Sequence, residues 1–154
     1  GRRANIAMRG QAVDWVSAGG ALGIFPGGTV STAARPFDRP MDPAWRSFTA
    51  RLVARTGAAV VPIWFEGENS RLFQLASHLH ADLRMALLLR EFRARVDRPV
   101  RLVIGQPISA ARLAAFRGDS KAMMDFLRRS TYELAPRGLD AGRHGLEFEA
   151  HHKR

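Results

Sequence analysis

The segment Gly23-Ile24-Phe25-Pro26-Gly27-Gly28-Thr29-Val30-Ser31 decides how the rest of the chain is interpreted. The apolar run over residues 21–25 is long enough for one buried strand, and Pro26 ends it. Two glycines then permit backbone angles that other residues avoid, and Thr29 and Ser31 bring hydroxyls into the turn. A buried strand that opens into such a turn is typical of an anion or polar-substrate pocket. An ordinary strand-to-loop turn has the same local pattern.

Composition restricts the class of protein. A chain of 154 residues is expected to form one domain with a real core. It contains no cysteine, which excludes disulfides, thiolate catalysis and cysteine-ligated zinc. The net charge is +10, and 22 of the 24 basic residues are arginine. This charge favours anionic lipid headgroups or an acidic carrier protein, although a G+C-rich genome would also enrich arginine. No block of consecutive basic residues forms a nucleic-acid-binding arm.

Helical and strand patterns alternate along the chain. Apolar periodicity predicts helices over residues 4–18, 43–56, 70–95 and 119–134, and short apolar runs predict strands over residues 21–25, 58–65 and 100–104. The continuous run at 58–65 suits a strand covered on both faces. The sequence therefore predicts an α/β fold with a mixed, mostly parallel sheet flanked by helices. Pro62 argues against a regular ladder at its position.

Two further segments bear on a site. Glu66 to Ser70 leaves the carboxyl end of its predicted strand, as Pro26 to Ser31 does, so parallel strands would open both loops on one crevice. Glu66 and Glu68 are candidate acids, but surface carboxylates are the commoner case. The proline-rich loop at 33–43 would either border the site or simply connect two elements. Residues 70–95 combine apolar positions at helical spacing with arginines, which favours packing on the sheet over a membrane-interface helix.

Three blocks, in order, resemble one family. Residues 25–31 resemble the Phe-Pro-Glu-Gly-Thr-Arg-Ser block of the glycerophospholipid acyltransferases, the lysophosphatidic acid acyltransferase superfamily. Val60-Val61-Pro62-Ile63 resembles the later Val-Pro block of that family. Residues 65–74 are similar to its bacterial branch of haemolysin-like and ornithine-lipid acyltransferases. The resemblance covers residues 12–134.

The resemblance implies an activity and a place for it. Members of the family transfer a fatty acyl group from acyl-carrier protein or acyl-coenzyme A to a lysolipid hydroxyl, without a metal or redox cofactor. It implies a peripheral protein at the cytoplasmic face of the inner membrane, with the membrane surface as a partner and no nucleic acid. It also implies that the following residues bind substrate: Phe25, Pro26, Gly27, Gly28, Thr29, Ser31, Pro62, Glu66 and Asn69.

The chain departs from the family at three points. Gly27 stands where the family has glutamate and Val30 where it has arginine, so a bidentate ligand for phosphate is missing. The catalytic His-x4-Asp motif should precede residue 25, yet no histidine precedes His78. His78 and Asp82 have the wrong spacing for it, and we expect only a helical i, i+4 pair there.

These departures lead to an expectation about domains. Residues 1–135 are predicted to be the C-terminal portion of an acyltransferase domain, inactive alone and with an exposed apolar edge and face, and residues 136–154 a poorly ordered basic tail. A non-catalytic lipid-binding domain is the alternative, and a basic nucleic-acid-binding domain is a weaker one because no nucleic-acid-binding signature is present.

Overall fold

A computed structural model describes residues 2–147, with side chains described from residue 6 onward. This part of the chain is a mixed α/β domain of six helices and a two-stranded sheet. The elements in chain order are α1 (Arg2–Ser17), α2 (Phe48–Thr56), β1 (Ile63–Phe65), α3 (Arg71–Leu79), α4 (Ala81–Arg93), β2 (Leu102–Ile104), α5 (Ala110–Ala114) and α6 (Ser120–Tyr132).

The described sheet is antiparallel rather than mostly parallel. β1 pairs with β2 so that Ile63 lies opposite Ile104 and Phe65 opposite Leu102. The connection explains the direction. The predicted single helix over 70–95 is two helices, α3 and α4, which break at the extended residue His80 and pack on each other. A helix pair returns the chain to the end from which it started, so the next strand runs the opposite way. The predicted pairing of the 58–65 and 100–104 regions is confirmed.

The predicted strand at residues 21–25 was wrong. These residues form no strand, and Phe25 is 79% exposed. The indole nitrogen of Trp15 donates to the carbonyl of Ala21 at 2.9 Å, and the ring covers Gly20 so closely that a Cβ there would lie 2.3 Å from it. A short apolar run becomes a strand only when a neighbouring strand offers it a ladder, and no such partner lies within the described residues.

The strand predicted over 58–65 is shortened at Pro62, as its lack of an amide hydrogen suggested. Val60 makes an isolated antiparallel bridge to Ile108. Between this bridge and β1, the carbonyl of Pro62 accepts a hydrogen bond from the amide of Gly105 at 2.9 Å. The pairing therefore continues on both sides of the proline, with one irregular step between.

The helix termini follow local chemistry. Gly57 ends α2 with φ of 66°, and its amide donates to the carbonyl of Val53. The side chain of Ser70 caps α3 by accepting from the amide of Phe73, and Asp119 caps α6 by accepting from that of Ala122 at 2.8 Å. These three boundaries confirm the predictions. α2 begins five residues later than residue 43, and the short helix α5 was not predicted.

The main core lies between α2, α5 and α6. Its fully buried members are Ala50, Val53, Ile108, Leu113, Met123, Met124 and Leu127. By contrast, α4 contributes one buried residue, Arg84. Two of the apolar residues at helical spacing in the 70–95 segment are also exposed: Leu83 in α4 at 51% and Leu79 at the end of α3 at 74%. The prediction that the helical segment packs its leucines on the sheet was therefore wrong for these positions.

Part of the predicted tail packs on the domain. The Arg128 side chain is 1% exposed and donates to the carbonyls of Ala141 and Arg143. The amide of Gly145 donates to the carbonyl of Asp42 at 2.9 Å, and that of Leu146 to the carbonyl of Thr32 at 3.1 Å. For residues 141–146 the structure differs from the expectation of poor order. Residues 148–154 lie outside the described residues.

Candidate functional site

The candidate site is a cleft of about 1010 Å³. Three segments form most of its wall: residues 20–31, residues 58–68 and the inner face of α2. The C-terminal end of α6 and residues 136, 137 and 139 close another side. Because Val53 and Leu127 belong to the main core and line the cleft, the core forms its floor, and the buried side chain of Leu52 lines the cleft as well.

Residues 26–31, the glycine loop, line the cleft along their whole length. Gly28 has φ of 66°, and its amide donates to the carbonyl of Phe25 at 3.2 Å. A Cβ on Gly28 would lie 3.1 Å from Nε of Arg46, and one on Gly27 would lie 3.3 Å from Cγ of Asp42. A side chain at either position would therefore press on a neighbouring side chain, which would have to shift by a few tenths of an ångström. The expected reason for a glycine at residue 28 was close approach of a substrate, and the structure shows that the side chain of Arg46 also lies close to this position.

Asp42 is the polar centre of the cleft wall and was not singled out from the sequence. Its carboxylate accepts a short hydrogen bond from the hydroxyl of Ser31 and another from the indole nitrogen of Trp45 at 2.9 Å. Its amide donates to the phenol oxygen of Tyr132 at 3.0 Å. Of the two interpretations of the 33–43 loop, the one in which it borders the site is correct for Arg39, Pro40 and Asp42. The only sequence signal was the position of Asp42 beside Pro43 in a loop rich in proline.

The surroundings of Tyr132 raise the pKa of its phenol. Burial is the main cause that raises the pKa of its phenol, and the negative charge of Asp42 adds to it. The phenol therefore stays protonated across the physiological range. In that state the phenol oxygen accepts the hydrogen bond from the Asp42 amide and helps to hold the backbone of Asp42 in place.

A buried arginine anchors the far end of the glycine loop. Arg84 is 3% exposed and donates from Nη1 to the hydroxyls of Thr32 and Ser77, both at 2.7 Å. Its Nη2 donates to the carbonyl of Val30 at 3.1 Å, and its guanidinium lies 4.8 Å from the ring centre of Phe73. Desolvation lowers the pKa of Arg84 from its very high ordinary value. The group nevertheless remains a cation, because arginine keeps its proton in proteins. The sequence pattern placed this arginine among those around the apolar positions of residues 70–95 and gave no sign that it is buried.

The second predicted loop reaches the cleft only in part. Glu66, Gly67 and Glu68 line it, as does Pro62, whereas Asn69 is not among the lining residues. Ser70 is turned toward α4, where its amide and hydroxyl both donate to the carboxylate of Glu91. The two loops thus share one crevice through residues 26–31 and 66–68.

The carboxylate of Glu66 behaves as a surface group. It lies 3.9 Å from a guanidinium nitrogen of Arg101, and both side chains are at least half exposed. An exposed pair of this kind contributes little to stability and leaves the carboxylate hydrated. This geometry favours the surface-carboxylate interpretation over an acid catalyst.

Part of the cleft wall is apolar. Leu22, Ile24 and Phe25 line the cleft from the segment before the glycine loop. Val61, Ile63 and Phe65 line it from β1 and the residues just before β1. The rings of Phe25 and Phe65 lie 6.0 Å apart, tilted by 40°, and join the two segments. Five of these six side chains are exposed and Ile24 is half-buried, so this apolar wall presents open apolar surface next to a polar end.

Histidine and metal chemistry do not enter this cleft within the described residues. His78 and Asp82 lie on different helices, so the expected i, i+4 pair was wrong, and Nδ1 of His80 lies 3.6 Å from the Asp82 carboxylate instead. No histidine between residues 6 and 147 lines the cleft. Over the same residues, no cluster of histidine, aspartate and glutamate is suited to hold a metal ion.

Comparison of the chain with protein-family models, curated proteins and solved structures finds no match. None of the helices in residues 2–147 is both long and apolar enough to cross a bilayer.

Proposed function

We propose that the cleft binds a lysolipid and serves an acyltransferase reaction, in which a fatty acyl group passes from acyl-carrier protein or acyl-coenzyme A to the lysolipid hydroxyl. The observation that supports this most directly is the form of the cleft. One wall is apolar from residue 22 to residue 25 and from residue 61 to residue 65, and the glycine loop with Asp42 forms a polar end. A single-chain lipid has the same two parts.

In this proposal the two ends of the cleft have separate tasks. The apolar wall removes the acyl chain from water, at roughly 0.8 kcal/mol for each buried methylene. The backbone of Gly27 and Gly28 lets a headgroup approach closely, and Thr29 offers a hydroxyl. The Ser31 hydroxyl already donates to Asp42, so it offers a headgroup its acceptor lone pairs.

The transfer step itself needs a general base. In such a reaction the base removes the proton of the acceptor hydroxyl, the oxygen attacks the thioester carbonyl, and the thiol of the donor leaves. The cleft-lining residues include no histidine, so this chain contributes binding and positioning to the reaction. The proposal extends to an acyltransferase-like fold, with β1 and β2 as an antiparallel part of a mixed sheet, and to a peripheral position at the cytoplasmic face of the inner membrane.

A non-catalytic lipid-binding domain is a second candidate. The same absence of histidine from the described cleft lining favours it, because such a domain needs only the apolar wall and the polar end. The two candidates share the bound ligand and differ in whether transfer occurs.

Intrinsic fluorescence offers a test of lysolipid binding, since Trp45 and Trp64 both line the cleft. Titration with dodecanoyl lysophosphatidate below its micelle concentration should give saturable binding. Ile63→Gln should weaken it by about tenfold, equivalent to about 1.4 kcal/mol. Ile104 is the matched control because it lies opposite Ile63 in the sheet, is also exposed, and does not line the cleft. Equal weakening by Ile104→Gln, or no saturable binding, would contradict the proposal.

Transfer is tested separately with labelled acyl-carrier protein or acyl-coenzyme A and the same lysolipid. We expect the chain to bind lysolipid without turnover, since losing a general base alone typically costs about 10²–10⁴-fold. Turnover well above a heat-denatured control would contradict this expectation and show that a group other than a cleft-lining histidine acts as the general base.

A further inference from the structure

Helix α4 is inverted relative to an ordinary surface helix. Its one buried residue is the arginine Arg84, which reaches inward to the end of the glycine loop. The large apolar side chains Met85, Leu89 and Phe92 face outward and are 60%, 69% and 70% exposed. A helix that buries its cation and exposes its hydrophobic residues has the opposite pattern to one that rests on its own core.

The exposed residues form a regular ridge. Met85, Leu89 and Phe92 are spaced by four and three positions, so on a helix they fall within about 60° of the circumference. We call these three residues the α4 outer stripe. The stripe extends over two turns of helix, which is the form of the apolar face in helices that lie in a membrane interface.

Arginines border the stripe. Arg93 follows it closely around the helix, Arg90 lies farther round, and Arg95 and Arg98 continue the basic series in the turn after α4. All four are exposed, against the two exposed acids Asp82 and Asp97 in the same region. Arginine stems can lie along an apolar surface while the guanidinium reaches phosphate oxygens at its edge.

We propose that the α4 outer stripe docks this protein on the surface of an anionic lipid bilayer. The three apolar side chains enter the boundary between headgroups and acyl chains, and the bordering arginines bind lipid phosphates. A second copy of the chain fits less well, because each copy carries a net charge of +10 and the same arginines would meet across the contact. The proposal names the surface that would hold the protein in the peripheral membrane position proposed above, and it does not depend on lysolipid binding in the cleft.

Co-sedimentation with vesicles tests this docking. The chain should bind vesicles of phosphatidylglycerol mixed equally with phosphatidylcholine and bind pure phosphatidylcholine weakly. The triple variant Met85→Gln/Leu89→Gln/Phe92→Gln should lose about tenfold or more of the affinity for the anionic vesicles. Arg90→Gln/Arg93→Gln should also weaken binding and reduce its dependence on salt.

The control is a triple variant with equally exposed apolar residues elsewhere. Ile6 and Met8 on α1 and Phe37 in the 33–43 loop are 63%, 56% and 80% exposed. Ile6→Gln/Met8→Gln/Phe37→Gln should bind anionic vesicles within about twofold of the parent chain. Both variants should unfold cooperatively in urea and bind monomeric lysolipid unchanged, which separates docking from the cleft.

Other results would overturn the proposal. If the stripe variant and the parent bind anionic vesicles equally, the stripe is not the docking surface. If neither binds vesicles but the parent forms a dimer that the stripe variant loses, the stripe is a contact between copies. If an acidic carrier protein binds the parent, fails to bind the stripe variant, and vesicles do not bind at all, the partner is a protein.

Discussion

A pair of glycine substitutions separates the site from the fold. Gly28 in the glycine loop and Gly57 at the end of α2 both have φ of 66°. A Cβ on Gly57 would meet nothing within 4 Å, whereas one on Gly28 would lie 3.1 Å from Nε and 3.5 Å from Cδ of Arg46. A residue with a side chain would therefore meet the same backbone strain at both positions, and the two positions differ only in the neighbouring Arg46.

The magnitudes follow from that difference. Alanine in the left-handed region costs about 1–2 kcal/mol. The reduced freedom of the unfolded chain returns about 0.4–1 kcal/mol, so each substitution should lower the free energy of unfolding by about 1 kcal/mol. At Gly28 the arginine side chain has to shift by only a few tenths of an ångström, which adds well under about 1 kcal/mol. Gly28→Ala and Gly57→Ala should thus be nearly equal in stability.

Ligand binding should distinguish them. Gly28 lines the polar end of the cleft and Gly57 does not, so the added methyl group of Gly28→Ala should lower lysolipid affinity by about tenfold, while Gly57→Ala leaves it unchanged. Urea denaturation measures stability, and the fluorescence titration measures binding. If Gly28→Ala binds as the parent does, the glycine loop does not hold the headgroup. If Gly28→Ala lowers the free energy of unfolding by about 2 kcal/mol more than Gly57→Ala does, the close packing of Gly28 on Arg46 stabilises the fold, and the two variants are not equal in stability as predicted.

Three further predictions concern the buried polar groups. Arg84→Met should lower the free energy of unfolding by about 1–3 kcal/mol in urea, since it removes hydrogen bonds donated by a charged group but also ends the desolvation of that charge; an unchanged midpoint would contradict this. Arg128→Met should release residues 141–146, so that limited proteolysis cuts there sooner than in the parent chain, and equal protection would argue against the arginine as their anchor. Tyr132 is the only tyrosine, so absorbance titration reports it alone and should give a pKa above the ordinary 10.0. Because the folded state holds that proton more tightly than the unfolded state does, the contribution of Tyr132 to the free energy of unfolding is complete below pH 10 and falls as the pH rises through the folded-state pKa. Tyr132→Phe should abolish this pH dependence.

Local chemistry was predictable from the sequence. Gly57, Ser70 and Asp119 each end or begin a helix through groups within four residues, and each was placed correctly. The irregular step at Pro62 was equally predictable, because a missing amide hydrogen is a property of one residue. The break at His80 was not, since its ring nitrogen caps α4 in place of a usual serine, threonine or aspartate.

Distant partners account for the remaining errors. Residues 21–25 have the composition of a strand, but a strand needs a neighbour that the sequence does not name. The buried position of Arg84 depends on Thr32, 52 residues away, and no periodicity argument places an arginine inside. The shared cleft was predicted for the two loops, although the reason given was a parallel sheet, and the described strands are antiparallel.

The position of Asp42 has a consequence for how the chain folds. Its side chain is bonded to the nearby residues Ser31 and Trp45. Its backbone is bonded to residues much later in the chain, Tyr132 at a separation of 90 residues and Arg128 at 86. Contacts of such sequence separation form late, because the intervening chain must first lose its freedom. During synthesis the glycine loop and Ser31 emerge early but gain the full support of Asp42 only after α6 and residue 145 have left the ribosome. Until α6 docks, the apolar floor of the cleft, which includes Val53, lacks the cover of Leu127 and its neighbours, so the speed of this docking sets how long the floor is open to aggregation.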